Sequence, residues 1–149
     1  MRSIFTSNNP CWQTPPSLFR QLDERFHFTL DPCSSHENAL CEKHYTEEDD
    51  GLSKSWKGER VFMNPPYGRG IKDWCRKAWE ESCNGALVVG LIPVRADTEW
   101  WQTYVCGKAS VTFIKGRLHF GGGCPKPTKH MQHSLRQSLS GMEVRCLEG

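Results

Sequence analysis

The run GALVVGLIP, residues 85–93, carries no polar side chain. A half-buried strand alternates apolar and polar residues, so an unbroken apolar run of this length suits a strand covered on both faces. Strands covered on both faces belong to parallel sheets, and parallel neighbours need crossover connections long enough to hold a helix. The surrounding sequence supplies them. RVFMN (60–64) and FHFTLD (26–31) read as two further strands, the second ending at Asp31. TPPSLFRQLDERF (14–26) reads as a helix, with Thr14 as its cap, Pro15 and Pro16 at its start, and Leu18, Phe19 and Leu22 as its apolar stripe. SSHENALCEKHY (34–45) has a serine cap and helical spacing. IKDWCRKAWEESC (71–83) is amphipathic through Ile71, Trp74, Cys75, Ala78 and Trp79. DTEWWQTYVC (97–106) follows with Asp97 as its cap. SVTFI (110–114) and RLHF (117–120) complete the strands. This alternation predicts a small α/β domain, a doubly wound sheet with right-handed crossovers.

The sequence VFMNPPYGRG (61–70) shows where such a sheet would carry chemistry. Two prolines cannot donate to a sheet ladder, so the strand stops at Met63 and leaves as a stiff extended loop. That loop presents Asn64 and Tyr67 at the strand's carboxyl end, where open α/β sheets bind ligands. The Asn64 side-chain oxygen and the Pro65 carbonyl are both acceptors, suited to the two hydrogens of an exocyclic amine. The Tyr67 ring can stack on the planar group that bears the amine. Two acceptors on the nitrogen favour its becoming tetrahedral as it attacks an electrophile. Methyl transfer from a sulfonium to an amine fits, and it needs neither a metal nor a covalent protein intermediate. A plain turn after a strand would also account for four such residues.

Several other classes are set aside. No run of about 18 apolar residues exists to span a membrane, and MRSIFTSNNP has no secretory apolar region. A cytoplasmic protein with reduced thiols is therefore expected, despite eight cysteines. Cys33-x-x-His36 and Cys41-x-x-His44 contain zinc-ligand types, but zinc pairs usually sit farther apart in the chain, so ordinary thiols and imidazoles are expected. The net charge of +2 says little. Its distribution says more: no acid occurs between Glu99 and Glu143, while Lys108, Lys115, Arg117, Lys126, Lys129 and Arg136 do. Such a basic stretch suits either phosphates or plain solvation.

Taken together, WQTPPSLFRQL (12–22), FTLDPCSSHENALCEKHYTEEDDGL (28–52), WKGERVFMNPPYG (56–68), IKDWCRKAWEE (71–81), LVVGLIPVRADTEWW (87–101) and IKGRLHFGG (114–122) resemble the small Dam-like family, the DNA N6-adenine methyltransferases of phages and prophages. The resemblance covers roughly residues 11–122. It implies a Rossmann-like methyltransferase fold, S-adenosylmethionine as methyl donor, and adenine in double-stranded DNA as acceptor, reached by flipping the base from the stack. It makes Asn64, Pro65, Pro66 and Tyr67 the catalytic loop. Asp31, Pro32 and Cys33 would lie near the donor, as would Thr14 and Pro15 at its methionine end. Asp50 is a candidate adenosine contact, set against a solvated acid in an acidic loop. Trp12, Trp56, Trp100 and Trp101 could stack on bases, with core packing expected for most of them.

After GRLHFGG the family usually continues into a Phe-Pro-Ser-Ala-like step and an apolar strand. Here GGGCPKPTKHMQHSLRQSLSGMEVRCLEG shows no buried-strand run. The codons of HMQHSLRQSL (130–139) can encode that missing step in a shifted frame. The expectation is a methyltransferase domain over 1–122 and an atypical, poorly ordered tail over 123–149, with one or more C-terminal strands missing. Cytosine N4, a protein glutamine amide, or DNA binding without turnover are the alternatives. Glutamine is disfavoured by the absence of a glycine-rich first motif. The recognition sequence and oligomeric state stay open.

Overall fold

A computed structural model describes residues 13–114 and the strand at 139–144. The elements run α1 (Pro16–Phe26), β1 (Leu30–Asp31), β2 (Lys43–His44), a 3₁₀ turn (Gly51–Ser53), β3 (Arg60–Met63), α2 (Ile71–Cys83), β4 (Leu87–Pro93), α3 (Glu99–Tyr104), β5 (Ser110–Phe113) and β6 (Leu139–Val144). The strands form one sheet in the order β2-β1-β3-β4-β6-β5. β2, β1, β3 and β4 are parallel, with Val61 beside Leu30 and Val88. β6 runs antiparallel between β4 and β5.

Period-two alternation divides the sheet's side chains between two cores. Val61, Met63, Val88 and Ile92 face Ile71, Trp74, Cys75 and Ala78 of α2 and Trp101 of α3. Phe62 points the other way, with Phe19 of α1 edge-on at 5.2 Å and Phe28 at 5.3 Å. Helices thus cover both faces, which is why β4 reads as continuously apolar; its residues Val88–Ile92 are all buried. The α/β expectation holds, as do the strand at 60–63, the helix at 71–83 and the central strand at 87–93.

Several expectations are corrected. The helix expected over 34–45 does not form. The Ser35 N–H donates to Asn38 Oδ1 (2.7 Å), the Asn38 N–H to Ser35 Oγ (3.3 Å), and the Leu40 N–H to Asp31 Oδ2 (3.1 Å). Side chains capture the amides that a helix would need, and the segment turns into β2 instead. The strand expected from residue 26 shortens to Leu30–Asp31, because Phe26 closes α1 and His27 takes a left-handed C-cap with φ 52°. Thr98, not Asp97, caps α3, its Oγ1 accepting from Trp101 N at 3.4 Å. Residues 139–144, in the tail where no buried-strand run was read, supply β6 between β4 and the edge strand β5. The strand expected at 117–120 and the rest of the tail lie outside the described residues.

Candidate active site

The chain leaves β1 for β2 on one side and comes back to β3 on the other. In an open parallel sheet this reversal parts the loops that follow the two central strands and leaves a crevice at their carboxyl ends. The loop after β1 is Asp31–Pro32–Cys33 and the loop after β3 is Asn64–Pro65–Pro66–Tyr67. The sheet order brings these two segments together.

Asn64 is held at both ends. Its backbone N–H bonds to the Cys33 sulfur, and its side-chain Nδ2 donates to Thr14 Oγ1 at 2.9 Å. Thr14 is buried, and it does not cap α1: the N-cap position is Pro15, without a side-chain cap. Pro16 has no N–H to satisfy, and Leu18 and Phe19 both donate to the Pro15 carbonyl at 3.1 Å. Pro65 is buried and Pro66 half-buried, so the loop is braced by packing as well as by its own stiffness. The half-buried Tyr67 directs its hydroxyl toward the Leu91 carbonyl on β4, at 3.5 Å, and burial pushes its phenol upward.

Asp31 is 4% exposed. Its Oδ1 accepts from Cys33 N (3.4 Å) and its Oδ2 from Leu40 N. Burial raises its pKa to about 6, against the downward pull of both N–H groups and of His44. Burial also holds the Cys33 thiol well up, reinforced by the Asp31 charge, so the sulfur beside Asn64 is a neutral thiol. Next in the chain, Ser34 Oγ is the one buried side-chain nitrogen or oxygen left without a hydrogen-bond partner among the described residues. Sequence reasoning missed it, because nothing in a serine's local context marks it as buried.

His36 Nδ1 and His44 Nε2 meet at 2.9 Å, so the two Cys-x-x-His units do converge through their imidazoles. Among the described residues, however, no three His, Cys, Asp or Glu side chains are grouped to hold a metal ion.

Asp50 is exposed, with φ 52°, and its carbonyl accepts from Ser53 N and Oγ. Its neighbour Gly51 lies against the loop after β1. A Cβ on Gly51 would lie 2.1 Å from the Pro32 carbonyl oxygen. The Asp-Gly pair therefore sets the close approach of the loop after β2 to the loop after β1. Trp56, fully buried, secures that approach: its Nε1 donates to the Gly51 carbonyl (3.0 Å) and its backbone N–H to Glu81 Oε2 (2.9 Å). Lys77 pairs with the buried Glu81 carboxylate. Trp56 and Trp101 belong to the core and Trp100 packs against it, so core packing is their role. Trp12 lies outside the described residues, as do all the tail's basic residues from Lys115 to Arg136.

The chain also matches known proteins. Residues 3–139 match the model of the family described as "DNA N-6-adenine-methyltransferase (Dam)". That match runs past Gly122, where the motif-by-motif resemblance ends. A DNA N-6-adenine-methyltransferase of Escherichia phage T1 is 31% identical over 109 residues, covering 72% of this chain and 45% of the relative. One from Haemophilus phage HP1 is 27% identical over 110 residues, covering 72% of this chain and 64% of the relative. The chain thus spans less than two thirds of either relative. With the parallel sheet, the loop pair at its switch point and a family match over most of its length, the chain belongs to the DNA N-6-adenine-methyltransferase (Dam) family.

Proposed function

We propose that this chain transfers a methyl group from S-adenosylmethionine to the N6 amine of adenine in double-stranded DNA. The observation that carries the reading is the joining of the two loops at the sheet's switch point, where the Asn64 N–H bonds the sulfur of Cys33. An amine-binding loop there stands directly against a loop suited to a cationic donor.

The residues present fit such a donor. Asp31 is a buried carboxylate whose charge is only partly offset, as its raised pKa of about 6 reports. A sulfonium or an ammonium group nearby would favour its ionised form. Ser34 Oγ, buried and without a hydrogen-bond partner among the described residues, supplies a hydroxyl in the same loop. Asp31, Pro32, Cys33 and Ser34 would hold the donor, with Pro15 at its methionine end; Thr14, expected there too, bonds Asn64 instead. Asp50, exposed beside Gly51, would contact the adenosine part of the donor. When bound, S-adenosylmethionine supplies an electrophilic methyl on sulfur.

The chain's own residues do the rest. Asn64 Oδ1 and the Pro65 carbonyl accept the two amine hydrogens. This concentrates electron density on N6 and orients its developing lone pair. Tyr67 offers its ring to the flipped base in place of lost stacking. The prolines keep both acceptors in position before substrate arrives, so little ordering is left for the transition state. On transfer the S–CH₃ bond would break as N6–CH₃ forms, the donor would leave as a neutral thioether, and the surplus N6 proton would pass to solvent.

The test is incubation with labelled donor and unmethylated DNA, followed by nucleoside analysis by mass. Label in N6-methyladenine is the expected result. Label in N4-methylcytosine, or none in DNA alongside an intact donor-binding signal, overturns the assignment.

A further inference from the structure

We infer that Thr14 is a positioning residue for the reaction, setting the carboxamide of Asn64 from a segment 50 positions earlier in the chain. The inference rests on the methyl-transfer reading and gives Thr14 a role toward Asn64 rather than toward the donor.

A primary amide is two-faced. Its oxygen accepts and its NH₂ donates, so only one orientation can receive the hydrogens of an amine. The opposite orientation sets NH₂ against NH₂. In this structure Nδ2 is committed to Thr14 Oγ1 at 2.9 Å, which turns Oδ1 away from Thr14. Thr14 is itself 7% exposed, so the bond is shielded from competing water. The backbone of Asn64 is fixed separately, by its N–H to the Cys33 sulfur. Two anchors, one on the main chain and one on the side chain, leave the carboxamide little torsional freedom.

The fold explains how so distant a residue can do this. Phe19 of α1 packs edge-on against Phe62 of β3 at 5.2 Å. Phe62 lies two residues before Asn64, and Thr14 lies five before Phe19. That contact therefore docks the start of α1 on the carboxyl end of β3. The Pro15–Pro16 step begins the helix with no hydroxyl cap, which releases Thr14 Oγ1 for Asn64.

Thr14→Val removes the hydroxyl at constant shape, and Thr14→Ser keeps it. Four quantities separate the roles: hydrogen exchange of the Asn64 side-chain NH₂ in ¹⁵N-labelled protein (assigned with Asn64→Ala), kcat and KM on DNA, donor Kd, and Tm. The expected result is faster NH₂ exchange and a kcat lowered about 10²-fold for Thr14→Val, with donor Kd unchanged. Thr14→Ser should restore both. Should Thr14→Val prove unfolded, Thr14→Ala read against Thr14→Ser gives the same comparison. A loss of activity that follows a weakened donor Kd, or unchanged NH₂ exchange, overturns the inference. If wild-type protein methylates no DNA, the methyl-transfer reading fails, and the exchange experiment still decides whether Thr14 holds Asn64.

Discussion

Gly51 and Pro32 touch backbone to backbone: a Cβ at residue 51 would stand 2.1 Å from the Pro32 carbonyl oxygen and 3.3 Å from the Trp74 ring. Neither neighbour is the end of a flexible chain, so the backbone itself would have to move. Gly51→Ala is expected to destabilise the domain by about 1–3 kcal/mol and to displace Pro32. Urea unfolding measures the first effect and titration with S-adenosylmethionine the second. Wild-type stability with wild-type affinity would contradict the contact.

Ser34→Ala removes a buried hydroxyl that has no hydrogen-bond partner among the described residues. Its loss should leave Tm unchanged or raise it, since an unpaired buried polar group is a cost. Donor affinity should fall by about one order of magnitude if the hydroxyl meets the donor. A thermal-shift series with S-adenosylmethionine reads both. A fall in Tm without donor would show that Ser34 serves the fold instead.

Asp31 makes stability pH-dependent in a known direction. Its folded pKa of about 6 lies above the ordinary 3.8, so the folded chain binds this proton more tightly. The contribution is full below about pH 4 and is lost as pH rises through about 6. Relative to Asp31→Asn, wild-type protein should gain roughly 1 kcal/mol between pH 7 and pH 5. Donor binding should run the opposite way, weakening below about pH 6, because a cation prefers the carboxylate. Parallel stability curves for the two proteins would refute the assignment.

Tyr67 separates stacking from hydrogen bonding. Its hydroxyl is 3.5 Å from the Leu91 carbonyl, at the limit of a hydrogen bond. The proposed role lies in the ring, so Tyr67→Phe should keep most activity. Tyr67→Ala should lose about 1–3 kcal/mol of base stacking, read as kcat/KM on DNA. Asn64→Ala should abolish transfer while DNA retention persists. Equal losses in Tyr67→Phe and Tyr67→Ala would assign the role to the hydroxyl.

The loops after β3 and β4 each present an exposed arginine, Arg69 and Arg95, and neither is ion-paired with a carboxylate among the described residues. The loop after β2, by contrast, holds Glu47, Glu48, Asp49 and Asp50. Phosphates are expected to cross the sheet edge on the arginine side. Each Arg→Ala change should weaken DNA binding at every sequence and lower the log K versus log salt slope by about 0.9. An unaltered slope places the DNA elsewhere.

Strong local patterns were legible without the fold. The β4 run, the α2 stripe and the strand-stopping prolines at 65 and 66 each depend on neighbours a few residues away, and each stands where the pattern puts it. The placing of Asp31 and Cys33 close to the Asn64 loop was implied only by the family resemblance. The segment 34–45 shows the limit. Its helical spacing is real, but the Asp31 carboxylate and the Ser35–Asn38 pair take the amides first, and the Asp31 bond exists only because β1 ends there. β6 was hidden for a different reason. LSGMEV has no apolar run, and its place comes from the unmet N–H and C=O groups along β4 and β5, which it pairs on both sides.

The amino-acid order alone thus determined the layer architecture and the proline-stiffened loop, because hydrophobic period and proline stereochemistry act locally. Only the tertiary structure decided that Thr14 bonds Asn64 instead of capping its own helix, that Gly51 must lack a side chain, and that the Ser34 hydroxyl lies buried with no partner among the described residues. Each depends on segments brought together by strand order, and a contact between distant segments leaves no periodic trace in either one.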